Sequence, residues 1–142
     1  MSKETSIAYK LAGFELTEFK PAWENYIGGK EVSIKNNIDF ALNREERILK
    51  CVNDIIFLQG DTTILTMQFC TYVEIHPESI AQLSSKDKIV IPPSFLAQCA
   101  SFGHGAIRGV MYLKTQNTPL DGLIMPPVEY QKVFKEPFIV TL

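Results

Sequence analysis

Two proline pairs, Pro92-Pro93 and Pro126-Pro127, bracket the stretch that most restricts what this chain can fold into. Proline suits a first helical turn, where its missing N–H has no intrahelical partner to lose. Residues 94–114 are therefore expected to form one helix, about 30 Å long at about 1.5 Å per residue. Phe95, Cys99, Phe102, Ala106, Val110 and Leu113 recur at helical spacing and mark its expected core face. Leu96, Ala100, Ile107 and Met111 carry apolar surface further round. Ala97, Ser101, Gly105 and Gly109 make a ridge of very small side chains at every fourth position. Glycine costs about 1 kcal/mol in a helix relative to alanine, so close approach of another backbone along this ridge is expected to offset Gly103, Gly105 and Gly109. A helix apolar nearly all round is covered on more than one side, and one small sheet covers only one. Ala97, Ser101, Gly105 and Gly109 are thus expected to meet a second subunit.

Composition narrows the class. The 142 residues suit a single domain. A net charge of −2, with no Lys/Arg cluster, argues against nucleic acid as a partner. No apolar run approaches the roughly 20 residues that span a bilayer. MSKETSIAYK at the start lacks the apolar core of an export signal, so a cytoplasmic location is expected. Cys51, Cys70 and Cys99 are odd in number and without a CxxC pair, as buried thiols of a reducing compartment would be. His104 is expected as a packed or interface histidine and His76 as a loop residue. Neither has metal-ligand spacing to a cysteine, so no metal, cofactor or catalytic residue is expected.

The order of parts follows from periodicity and turn residues. Residues 6–19 read as a first strand with apolar residues on both parities: Tyr9, Leu11 and Phe19 against Ala8, Phe14 and Leu16. A long crossover follows, marked by Pro21, Gly28 and Gly29 and carrying Trp23 and Tyr26. Val32, Ile34, Ile38, Phe40 and Leu42 alternate with polar neighbours in a second strand, Asn36 being the polar member of the apolar series. Residues 47–58 and 62–75 read as two more strands joined by Gln59-Gly60-Asp61. Residues 77–83 form a short turn or helical stub, and residues 128–134 a helical turn or two ended by Pro137. Residues 1–6 and 136–142 are expected as flexible or extended tails. The fold class is α+β: a four-stranded antiparallel sheet, built as a meander plus a long crossover, with one long and one short helix on one face.

At this point the chain resembles the SecB family of protein-export chaperones. The resemblance is carried by RGVMYLKTQNTPLDGLIMPPVEYQKVF at residues 108–134 and by EVSIKNNIDFALN at residues 31–43. In the family, a long helix ends in Arg-Gly, and an apolar Pro-Val segment leads to a second helix; Arg108-Gly109 and Pro127-Val128-Glu129-Tyr130 match. The resemblance implies a dimer or dimer of dimers with the long helices between sheets. It also implies ATP-independent holding of unfolded polypeptide in an apolar groove. Carried over by position, Val32 and Ile34 line that groove on the second strand. Val128, Tyr130, Val133 and Phe134 form its opposite wall, and Trp23 and Tyr26 cap it from the crossover. Asn36 stands where the family has an apolar residue. Thr66 stands where the family has an acidic residue that docks the translocase motor. Pro137 shortens the last helix, and a dedicated client such as an antitoxin is an alternative to general export clients. Two further readings stand beside this one: a structural or partner-binding oligomer without the groove, and a hot-dog-type thioester enzyme.

Overall fold

The structure, a computed structural model, describes residues 6–142, so all of the first expected tail except Ser6 lies outside the described residues. The elements run β1 (Tyr9–Pro21), a 3-10 turn (Trp23–Asn25), β2 (Ser33–Asn43), β3 (Ile48–Gln59), β4 (Thr62–Ile75), α1 (Pro77–Leu83), β5 (Lys88–Ile91), α2 (Pro93–Thr115), α3 (Tyr130–Val133) and β6 (Phe138–Thr141). The four long strands make one antiparallel sheet in the order β1-β4-β3-β2, and α2 lies across β3 and β4. The architecture is the α+β arrangement expected.

Strand β3 shows how the layers arise. Leu49, Cys51, Asn53, Ile55, Phe57 and Gln59 alternate into the helix side and are all buried, while the intervening residues keep partial contact with solvent. One dry and one wet face is the usual economy of an antiparallel sheet. Large side chains such as Phe57, Phe69, Ile107 and Met111 are almost completely enclosed, each contributing about 1.5–3 kcal/mol by leaving water.

Strand β1 resolves its own parity conflict. Its register against β4 shifts between Leu11 and Gly13 and again between Leu16 and Glu18. Each extra residue reverses the alternation. Leu11, Phe14, Leu16 and Phe19 consequently stand opposite Val73, Thr71, Phe69 and Met67, and all four point to the helix side.

The long helix is rotated from the expected setting. Its buried residues are Phe95, Leu96, Ala97, Cys99, Ala100, Gly103, His104, Ile107, Met111 and Thr115. Phe102, Ala106 and Val110 sit on its flank, and Leu113 is 69% exposed. Where α2 passes over β4 the close approach falls at Gly103: a Cβ there would collide with Thr71 Oγ1. A Cβ at Gly105 or Gly109 would meet nothing within 4 Å.

Of the flexible or extended tail expected at residues 136–142, Phe138–Thr141 is extended, as β6. After Pro137 the chain pairs antiparallel with β5, from Ile91↔Phe138 to Lys88↔Thr141. Phe138 and Val140 pack beside Ile89 and Ile91, and this apolar support makes so short a ribbon viable.

Candidate functional site

Strand β2 is one edge of the sheet and pairs with β3 without a break, from Ser33↔Leu58 to Asn43↔Ile48. The opposite edge, β1, carries two bulges; β2 carries none. Ile34, Asn36, Ile38, Phe40 and Leu42 are half-buried on the helix side, with exposed residues between them. Eleven residues at about 3.3 Å each make a strip roughly 35 Å long. Three pieces of chain lie along it.

At one end sits the crossover. Trp23, Tyr26, Val32 and Ile34 are half-buried together against the cluster around Phe57, Leu65 and Met111. Buried Gln59 fixes this loop: its Oε1 accepts from the Ile27 N–H at 2.9 Å, and its Nε2 donates to the carbonyls of Ile27 at 2.8 Å and Lys30 at 3.2 Å. Gln59→Ala is expected to cost about 1–3 kcal/mol. It should also speed hydrogen exchange at the Ile27 amide while the amides of β3 stay protected. Unchanged exchange at Ile27 would show that the clamp does not hold the loop.

At the middle is a buried polar chain. Tyr130 Oη lies 2.8 Å from His104 Nδ1, and His104 Nε2 lies 2.8 Å from the Pro126 carbonyl. Asn36 Nδ2 donates to Tyr130 Oη at 3.4 Å, Asn53 Nδ2 to Asn36 Oδ1 at 3.1 Å, and the Cys51 thiol to Asn53 Oδ1 at 3.8 Å. Burial lowers the pKa of His104, Arg108 adding to the effect against the pull of the Pro126 carbonyl. Burial likewise raises that of Tyr130. At the far end, Phe40 meets Phe134 edge-on at 5.6 Å and Phe138 at 6.2 Å.

The eight residues expected along the groove thus fall in two groups joined by β2. Tyr130 is only 3% exposed and belongs to the core with Cys51, Ala97 and Ala100, because its hydroxyl finds His104 and its ring stacks on Phe134. It offers no open wall. Phe134 is half-buried, whereas Val128 and Val133 are 38% and 56% exposed. Ile27 and Ile124, at 58% and 60%, are exposed apolar residues of the crossover and the connector that alternation did not single out.

The four ridge residues also divide. Ala97 is fully buried inside the protomer and has no surface left for a partner. Ser101, Gly105 and Gly109 lie on the outward side of α2, where Tyr112 is 66% exposed. Thr66 is half-exposed on the sheet's outer face, between Lys20 and Ile56.

Chemistry is sparse elsewhere. The three cysteines are buried and free, and burial pushes the thiols of Cys51 and Cys99 up to about 12, leaving them protonated. Among the described residues no group of three or more His, Cys, Asp or Glu is placed to hold a metal ion. Among the described residues no helix is long and apolar enough to cross a membrane. Compared with protein-family models and with curated proteins, the chain gives no match.

Proposed function

We propose that this chain is a SecB-like, ATP-independent holdase of the cytoplasm that binds extended segments of unfolded polypeptide along β2. The observation that carries the reading is the strip itself. A straight, unbulged edge strand leaves one row of main-chain groups without a strand partner among the described residues, and its inward face is only half-buried. Such an edge accepts an added strand through main-chain hydrogen bonds, and apolar side chains at alternate positions add affinity with little sequence demand. Trp23, Tyr26, Val32, Ile34, Val128, Val133 and Phe134 are the client-contacting residues in this reading, with Tyr130 supporting them from beneath.

The reading assigns no catalytic residue. It is supported by the two ring nitrogens of His104 both being engaged, and by the protonated thiols. It places a second copy on the outward ridge of α2, giving a dimer or a dimer of dimers. Thr66 carries no charge, which favours a dedicated client such as an antitoxin over docking of a translocase motor.

One observation favours a second reading, a partner-binding oligomer without general chaperone activity: Tyr130 and Asn36 fill the middle of the strip with a satisfied polar contact. Aggregation of a denatured client separates the two. A stoichiometric amount of the protein is expected to suppress light scattering without ATP. Undiminished scattering at several-fold excess would remove the holdase reading and leave the second.

A further inference from the structure

One buried histidine holds a single short piece of chain at two points. Nε2 of His104 faces the Pro126 carbonyl, which only accepts, so the ring proton sits on Nε2 and Nδ1 accepts the Tyr130 hydroxyl. From there the donors run head to tail through Asn36, Asn53 and Cys51, all pointing toward Pro126. Only a neutral imidazole fits this direction. A second ring proton would set an N–H against a hydroxyl that donates along the same line, and would bury a cation.

The groups around the ring do little to welcome that charge. On its own helix stands Arg108, one turn on, a like charge. The covering segment brings Tyr130 and the nearby Glu129, whose carboxylate is already 2.7 Å from Lys132. The sheet brings Cys51, a protonated thiol reached through Asn53 and Tyr130. Beneath the segment the floor is apolar: Tyr130 and Phe134 rest on Ala97, Ala100, Ile38 and Phe40.

We infer that His104 is a proton-controlled latch: neutral, it holds residues 126–134 across β2, and on gaining a proton it releases them and uncovers Ile38 and Phe40. What then binds rests on the holdase reading; the motion does not.

The sign follows from linkage. The latched state binds its proton more weakly than a free imidazole, so latching is at full strength above about pH 6.5. It weakens as pH falls below that value, by at most about tenfold in the closed-to-open ratio per pH unit for one proton.

NMR on the whole chain tests this. The His104 ring is expected as the Nε2–H tautomer at neutral pH. Its titration should share one midpoint with the backbone shifts of Val128, Tyr130 and Phe134. His104→Leu is expected to leave those amides open and indifferent to pH. Tyr130→Phe, which keeps the ring packing, should move the opening midpoint to higher pH. A ring that titrates while those amides stay still, or opening with the same pH dependence in His104→Leu, overturns the latch; so does an unmoved midpoint in Tyr130→Phe. A labelled extended apolar peptide, titrated in parallel, keeps the two ideas apart. Segment opening without peptide binding removes the holdase reading and leaves the latch. Peptide binding without pH-linked opening removes the latch and leaves the holdase.

Discussion

Gly103→Leu is expected to prevent the protomer from folding, and Gly103→Ala to destabilise it measurably. The helix and β4 meet at this residue so closely that a single added carbon would strike Thr71 Oγ1. Overpacking of this kind costs typically about 1–3 kcal/mol even for small insertions. Alanine recovers about 1 kcal/mol through helix propensity, so the net loss for Gly103→Ala should lie at the lower end of that range. A leucine adds three more carbons with nowhere to go. Against a total stability of about 5–15 kcal/mol, that is enough to abolish the fold.

The companion residue makes the mechanism testable. Thr71 Oγ1 is buried and finds no hydrogen-bond partner among the described residues. Removing it by Thr71→Ala leaves the Thr71 Cβ 3.6 Å from a new carbon at Gly103, an ordinary contact. Urea unfolding of the two single variants and the double variant should therefore show strong favourable coupling, with the double variant more stable than Gly103→Ala. Additive losses would mean that the crossing is not limited by this contact.

Gly105→Leu is expected to do the opposite. It should leave the protomer intact and break the assembly. A side chain at Gly105 meets open space within the protomer, as does one at Gly109, and Ser101 on the same side is exposed. In a second copy seated here the helix axes would lie about 8–10 Å apart, a distance a glycine ridge permits and a leucine obstructs. Far-ultraviolet circular dichroism and the urea midpoint of the isolated protomer should stay unchanged while the solution mass falls. A variant that keeps the wild-type mass would show that the ridge is not the contact face.

These two glycines also show where sequence reading stops. Alternation made β2 legible, with Ile34 on the correct face and Val32 packing on the same core just before the strand, because a half-buried strand writes its burial into every second residue. The short turn or helical stub expected at residues 77–83 is the helix α1, Pro77–Leu83, and the His76 ring accepts from the Glu78 N–H at its first turn. The setting of α2 was not legible. A helix apolar nearly all round has no preferred stripe, and its rotation is decided by the Gly103–Thr71 crossing and the His104–Tyr130 bond, both contacts between residues distant in sequence. Strand β1 hid its single apolar face behind two bulges: Gly13 marks the first, but no glycine or proline marks the second, between Leu16 and Glu18. Strand β6 lay beyond Pro137 and has meaning only against β5, about fifty positions earlier in the chain.

The same divide runs through the candidate site. The apolar alternation of β2 is local and was visible; the clamp from Gln59 to the crossover is not, since a hairpin residue gives no sign that its side chain reaches back to Ile27. Tyr130 is expected in a groove wall only through its position in the SecB-like pattern, beside Val128 and Val133, which are exposed while it is buried. Its burial comes from His104 and Asn36, partners that no periodicity points to.

The holdase reading proposes an assembly through the outward ridge of α2, so solution mass is the most direct measurement. Light scattering coupled to size exclusion is expected to give a dimer or tetramer of the 16.0 kDa chain for the wild type, and a single chain for Gly105→Leu. A wild-type protein that elutes as a stable single chain, however concentrated, would contradict the account.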